Sequence, residues 1–252
     1  MSARLATSKI KGRAASSPQK SKREDRDYMP VSKNHTYYIE NNSRNADTRL
    51  GALLSDLLAS SDKIFQELVI LCIGSDRITG DSLGPLVGHS LAKKALAHTR
   101  IYGTLARPVH ALNLNETVEV LHLQHPHSLT IAIDASLGTR AHLGFLTVSE
   151  NPLKPGLGVR KKLPPVGDIS ITGIVNTSGT FDHFQLQTTR LATVVKMADS
   201  IVSGLTLAHR QYFGPRLFPG FPFFHPESER TLSFAKFTPL SAGFGSLPKG
   251  RT

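Results

Sequence analysis

The chain has 252 residues, with 30 Lys and Arg against 19 Asp and Glu for a formal net charge of +11. Its 39% hydrophobic content suits one domain with extensions or two small domains. A single cysteine excludes a disulfide framework and a thiolate zinc site. No apolar run reaches the roughly 18–20 residues of a membrane span, and the charged N-terminus lacks the apolar stretch of a secretory signal, although transit peptides share its Ser- and Arg-rich character. A reducing, cytoplasmic setting is expected.

Residues 1–45 are polar, rich in Ser, Lys, Arg and Asn, and read as a disordered basic extension. Leu50, Leu53, Leu54, Leu57 and Leu58 predict an amphipathic turn or two within 48–58. From residue 67 strands and helices alternate. Leu68–Gly74 is a continuous apolar run bounded by Gly-Ser-Asp, the signature of a buried strand. A helix is predicted over Gly84–His98, then a short strand at Ile101–Thr104. A second helix, Asn115–Gln124, has Asn115 as its expected N-cap, Glu116 in its first turn and His125-Pro126 as its stop. Leu129–Asp134, Leu143–Ser149 and Ile169–Val175 follow as strands, the last two joined by the Pro- and Gly-rich loop 151–167. A long helix is predicted over Phe184–Ala208, where Leu191, Val194, Val195, Ala198, Ile201, Val202 and Leu205 keep a 3.6-residue period. The alternation predicts a three-layer α/β domain over 46–208 with a central, largely parallel sheet.

Residues 209–252 hold eight of the twelve Phe and six of the fifteen Pro. Pro and Gly at that density prevent a regular element, yet disorder normally lacks aromatics. The segment either lies across the domain, binds a partner or is a loosely constrained extension. The net charge divides as +6 over 1–36, +1 over 37–208 and +4 over 209–252. The basicity therefore belongs to the two ends, and a basic globular face for nucleic acid is not indicated.

In open α/β sheets the functional crevice lies beyond the carboxyl ends of the strands. Two segments occupy such places: Ile73-Gly-Ser-Asp-Arg-Ile-Thr-Gly-Asp-Ser-Leu-Gly-Pro85 and Ile133-Asp-Ala-Ser136. They put Asp76, Asp81 and Asp134 at one edge of the sheet. The first segment matches neither dinucleotide- nor nucleotide-binding glycine loops, and its two carboxylates would repel phosphate. Asp81 reads either as a helix-terminal acid or as a functional group. Asp134, ending a buried strand, must find partners for its charge. Asp168, in Val166-Gly-Asp-Ile-Ser170, is either a third polar group of the crevice or a turn residue at a strand start. Arg160, Lys161 and Lys162 either draw an acidic substrate across the site or form a solvated charge run. His110, His122, His125 and His127 lack a carboxylate or cysteine at supporting spacing, so no metal site is expected. Ser136 and the Asp182-His183 pair compose no Ser-His-Asp order, and Cys72 reads as an inert buried thiol.

The runs CIGSDRITGDSLGPLVG, YGTLARPVHALNL, IAIDASLG, PGLGVRKKLPPVGDISITGIVN and LQTTRLATVVKMADSIVSGL closely resemble the YyaC-type sporulation proteins. That family is similar to the germination protease and, more remotely, to the hydrogenase-maturation peptidases. The resemblance covers roughly residues 68–207 and neither tail. It implies a HybD-like phosphorylase/hydrolase type of α/β fold. Thr79-Gly-Asp-Ser-Leu-Gly-Pro85 matches the germination protease's T-P-D-A-L-G-P segment, with Gly80 in place of Pro, so the resemblance gives Asp81 the part of one essential aspartate. Ile133-Asp134-Ala135 matches the I-D-A strand end that carries the second. Pro155-Gly-Leu-Gly-Val159 resembles the P-G-S-G-V loop. Where the maturation peptidases have a nickel-binding acid after the first aspartate, this chain has Ser82, so neither nickel nor another cofactor is expected.

Two neighbouring carboxylates share a proton, and one can then activate water while the other protonates a leaving amine. The expectation is an aspartate-dependent endopeptidase using Asp81 and Asp134, with Asp76, Asp168, Arg160 and Lys161 as substrate-binding candidates. Its implied setting is the forespore or mother cell of a sporulating bacterium, with protein or peptide substrates that include spore proteins. The alternative is a non-catalytic sporulation protein holding a peptide or partner in the same crevice. Binding of nucleic acid, if any, falls to the basic tails.

Overall fold

The computed structural model describes residues 36–155 and 163–214. Six strands form one mixed sheet: β1 Thr36–Glu40, β2 Glu67–Cys72, β3 Thr99–Tyr102, β4 Ser128–Gly138, β5 Phe145–Ser149 and β6 Ile169–Thr177. Their order across the sheet is β1-β5-β6-β4-β2-β3. The pairs β2–β3, β2–β4 and β4–β6 are parallel, whereas β5–β6 and β1–β5 are antiparallel. Five helices accompany the sheet: α1 Ala46–Ala59, α2 Leu83–Ala92, α3 Leu114–Gln124, α4 Asp182–Gln187 and α5 Leu191–Phe213.

Strand periodicity separates two cores, because successive side chains of a strand face opposite sides of the sheet. From β2, Leu68, Ile70 and Cys72 join Leu129, Ile131 and Ile133 of β4 beneath α1, α2 and α5. The intervening Val69 and Leu71, with Ile73 just beyond β2, meet Leu114 and Leu121 of α3 on the other face, together with Leu153 and Val166. The architecture is a three-layer α/β domain, as the sequence predicts. The continuous apolar run of β2 reflects burial on both faces.

Four expectations change, the first being the helix predicted over Gly84–His98, which ends at Ala92, with Ala95 and His98 in the left-handed region. Residues 36–45 are not a disordered extension. β1 pairs in register with β5 from Thr36↔Ser149 to Glu40↔Phe145, and Ile39 is fully buried. Only five residues long, with polar neighbours on both sides, β1 lacks the apolar run by which an isolated strand is recognised. The helix predicted over 184–208 is interrupted at Thr188–Arg190, where Arg190 is extended (φ −72°, ψ 122°). α3 has Asn113, not Asn115, at its N-cap position, and the Asn113 side chain accepts from the His110 N–H at 2.8 Å.

α5 also revises the membrane argument. Its 23 residues are long and apolar enough to cross a bilayer by length and composition alone. Val194, Met197, Ala198, Ile201, Val202, Leu205 and Ala208 nevertheless form one buried stripe in the larger core, which is the pattern of a core helix.

Candidate active site

The topology chooses the location. From β2 the chain passes through α2 to β3 on one side, then through α3 to β4 on the other. The strand order therefore reverses between β2 and β4, and the two crossing helices lie on opposite faces. A crevice opens beyond the carboxyl ends at such a switch point. Asp81 follows β2, and Asp134 lies in the carboxyl half of β4.

The loop after β2 is drawn tightly back onto the strand. Gly74 takes φ +138°, and a Cβ there would overlap the Asp81 carbonyl oxygen. The Ser75 N–H donates to that same oxygen at 3.0 Å. A single 3-10 turn, Thr79–Ser82, carries Asp81 and feeds directly into α2. Gly84 then lets the first turn of α2 press against the Ile73 carbonyl, which any side chain would obstruct. The glycines of this motif thus serve close backbone approach, with no phosphate cradle.

The two aspartates sense each other. Burial raises the Asp134 carboxyl well above its ordinary value, the Asp81 charge raises it further, and the Ala135 N–H, donating at 2.8 Å, opposes both. Burial also lifts Asp81, to about 6. Working against that rise are a hydrogen bond from the Ser75 backbone and the positive ends of His110 and His183. Burial and the repulsion between the two carboxylates therefore favour a pair that shares one proton.

Neither histidine was assigned to this site by sequence reasoning. His110 is brought in by a parallel bridge between Ile73 and Val109, with the Gly74 N–H donating to the Val109 carbonyl at 2.8 Å. His183 arrives on α4, which packs on the Thr79–Ser82 turn closely enough that a Cβ on Gly80 would sit 2.7 Å from the Leu186 carbonyl oxygen. Asn176, at the end of β6, holds α4 in place: its amide donates to the Gln185 carbonyl at 2.8 Å and to the Thr189 hydroxyl at 3.3 Å. A row of hydroxyls also escaped the sequence reading. Thr172 is the β6 partner of Asp134, and its hydroxyl bonds Thr147 at 2.7 Å and Ser136 at 3.1 Å. Residues this far apart in sequence share no motif, so only strand register reveals them.

Other candidates fall elsewhere. Asp76 lies on the same loop as Asp81 but is exposed. Asp168 belongs to the opposite edge of the sheet. Its N–H donates to the Thr130 carbonyl at 2.7 Å, and its carboxylate accepts from the Thr130 N–H and the Lys63 ammonium, both at 2.8 Å. It closes the amino ends of β4 and β6, because parallel strands place all their starts away from the crevice. Its assignment to substrate binding is corrected accordingly. Arg160 and Lys161 lie outside the described residues. His125 is bound to Glu67 at 2.8 Å and Tyr102 at 2.9 Å, away from His110. Cys72 is buried in the larger core, and burial pushes its thiol pKa up, as expected of an inert cysteine.

Ser82 does not supply the acid that a nickel site would take at that position. The Ser82 hydroxyl is spent on the Thr79 carbonyl at 2.7 Å, and among the described residues no three His, Cys, Asp or Glu side chains converge to hold an ion.

A family model described as "Protein of unknown function (DUF1256)" matches residues 38–204. The chain is 43% identical over 173 residues to the uncharacterized protein YyaC of Bacillus subtilis (strain 168), a match covering 69% of this chain and 83% of that one. Among solved structures it is similar to a NiFe hydrogenase maturation protease, HycI, from Thermococcus kodakarensis KOD1. That similarity has a TM-score of 0.42 and 16% identity, covering 62% of this chain and 97% of the other.

Proposed function

The chain belongs to the DUF1256 family, and from that premise we propose that it is an aspartate-dependent peptidase whose reacting groups are Asp81 and Asp134. The observation that carries this reading is the coupled carboxyl pair at the β2–β4 switch point. Both members are pushed upward by burial, and the Asp81 charge pushes Asp134 further.

The chemistry follows from that asymmetry. Asp81, ionised above about pH 6, takes a proton from water as the water oxygen attacks the amide carbonyl carbon. The resulting C–O bond forms a tetrahedral intermediate. Asp134 gives its proton to the amide nitrogen as the C–N bond breaks, releasing a carboxylic acid and an amine. Passage of the proton from Asp81 to Asp134 restores the pair. A base with a pKa near ambient pH combines availability with proton affinity, and each positioned acid or base contributes typically 10²–10⁴-fold. His110 and His183 keep Asp81 ionised closer to neutrality than burial alone would allow.

The setting in this proposal is the cytoplasm of a sporulating bacterium, where small acid-soluble spore proteins and coat proteins are the substrates. It rests on the motif resemblance to the germination protease. The test is incubation of the full chain with those proteins and mass spectrometry of new chain ends. Asp134→Asn and Asp81→Asn are expected to lose at least about 100-fold in rate. The wild-type rate should rise as pH passes about 6 and fall again where Asp134 loses its proton. Variants that cleave as fast as wild type would overturn the reading.

A further inference from the structure

Scattered single apolar side chains on a protein surface are ordinary, whereas a cluster of them marks a contact site. Among the described residues eight large apolar side chains are exposed; Ile64, Leu123, Leu143 and Val195 stand apart, and the other four share one region. Leu112 is 80% exposed, Phe181 72%, Phe184 60% and Leu191 57%, and all four lie at the carboxyl edge of the sheet or on the element just beyond it. Their positions follow the two histidines that face Asp81. Leu112 comes two residues after His110, and its N–H is bonded to the His110 ring nitrogen at 3.3 Å. Phe181 and Phe184 flank His183, and Thr180–Phe184 line an open cavity of about 440 Å³. One apolar wall therefore stands on the His110 side of the carboxyl pair and a second on the α4 side.

We propose that these walls are the substrate-recognition surface of the site, and that their occupant is an extended peptide with large apolar side chains on both sides of the bond presented to Asp81 and Asp134. The inference rests on the peptidase reading and names its substrate class. Three features favour a peptide. The walls are carried by the segments of His110 and His183, the two histidines that act on Asp81. They bracket that pair from two sides, as the two halves of a cleaved chain require. The α4 wall is short, and Asn176, Thr189 and the Thr79–Ser82 turn hold the backbone of the helix that carries it before any ligand arrives. A preorganised surface loses less freedom on binding.

The test separates binding from chemistry. The full-length Asp134→Asn chain is titrated against a fluorescein-labelled ten-residue peptide with Leu on both sides of its central bond, and against the same peptide with Ser at those positions. Fluorescence anisotropy should show the Leu peptide binding at least about tenfold tighter, the effect expected from burying such side chains. Phe181→Ser combined with Phe184→Ser should erase the difference, and so should Leu112→Ser. Leu123→Ser, which removes an equally exposed leucine at the end of α3, should leave it intact. Circular dichroism checks that each variant is folded.

Equal affinity for the two peptides overturns the inference, as does a preference lost equally in Leu123→Ser. Sedimentation showing a dimer that Phe184→Ser dissociates, with no peptide bound, assigns the walls to a second copy of the chain and also overturns it. If the preference holds but wild-type protein never cuts the Leu peptide or spore proteins, the recognition surface stands and the peptidase reading falls.

Discussion

At the residue scale, Asp81 and Asp134 are held in a condition that weakens the fold near neutral pH. A carboxyl whose folded pKa is raised binds its proton more tightly folded than unfolded. For Asp81 the resulting stabilisation is complete below the ordinary value of 3.8 and is lost as pH rises through about 6. Replacing the carboxyl with an amide removes the desolvated charge. Asp81→Asn is therefore expected to be more stable than wild type at pH 7, by about 1–2 kcal/mol once partial solvent screening is allowed for. The gain should vanish at pH 4, where wild type is protonated. Thermal unfolding at the two pH values measures this, and an equal difference at both would contradict the assigned burial. Gain in stability with loss of activity is the pattern expected where a strained charge serves function.

At the scale of elements, the break between α4 and α5 decides whether His183 reaches Asp81. No glycine or proline lies between Thr188 and Arg190, and a continuous helix satisfies the local pattern equally well. The interruption is made from outside, by the Asn176 amide at the end of β6 capturing the Gln185 carbonyl and the Thr189 hydroxyl. Asn176→Ala removes one donor from the Gln185 carbonyl, which the Thr189 hydroxyl still reaches at 2.8 Å, and is expected to reduce stability by about 1 kcal/mol. Amide hydrogen exchange should show α4 losing protection while α5 keeps it. Unchanged protection of Gln185 and Thr188 would mean that the Asn176 contact does not hold α4.

At the scale of the molecule, the ordered sheet begins earlier than composition suggests. Ile39 is fully buried and β1 covers the edge of β5 along five residue pairs. A chain beginning at residue 46 should thus be less stable than one beginning at residue 36 by about 3 kcal/mol or more, the range for deleting a buried isoleucine. The charge has the same division, since the basic excess lies almost wholly outside 37–208.

By itself the sequence determined the α/β class, the buried strands β2 and β4 and most of the buried stripe of α5, although Leu191 and Val195 of that stripe are exposed. Each is written in local terms: a continuous apolar run or a 3.6-residue period. Tertiary structure decided what depends on partners distant in the chain. The switch point at β2–β4 brings Asp81 to Asp134, the Ile73–Val109 bridge and the packing of α4 deliver His110 and His183, and β1 becomes a strand only because β5 offers an edge. The same separation explains Asp168, where a carboxylate near a strand was legible but the direction of that strand was not. Hydrophobic periodicity reports which face of an element is buried. It carries no information about which end of one strand will lie beside which end of another, and the Asp81–Asp134 pair is made by that juxtaposition.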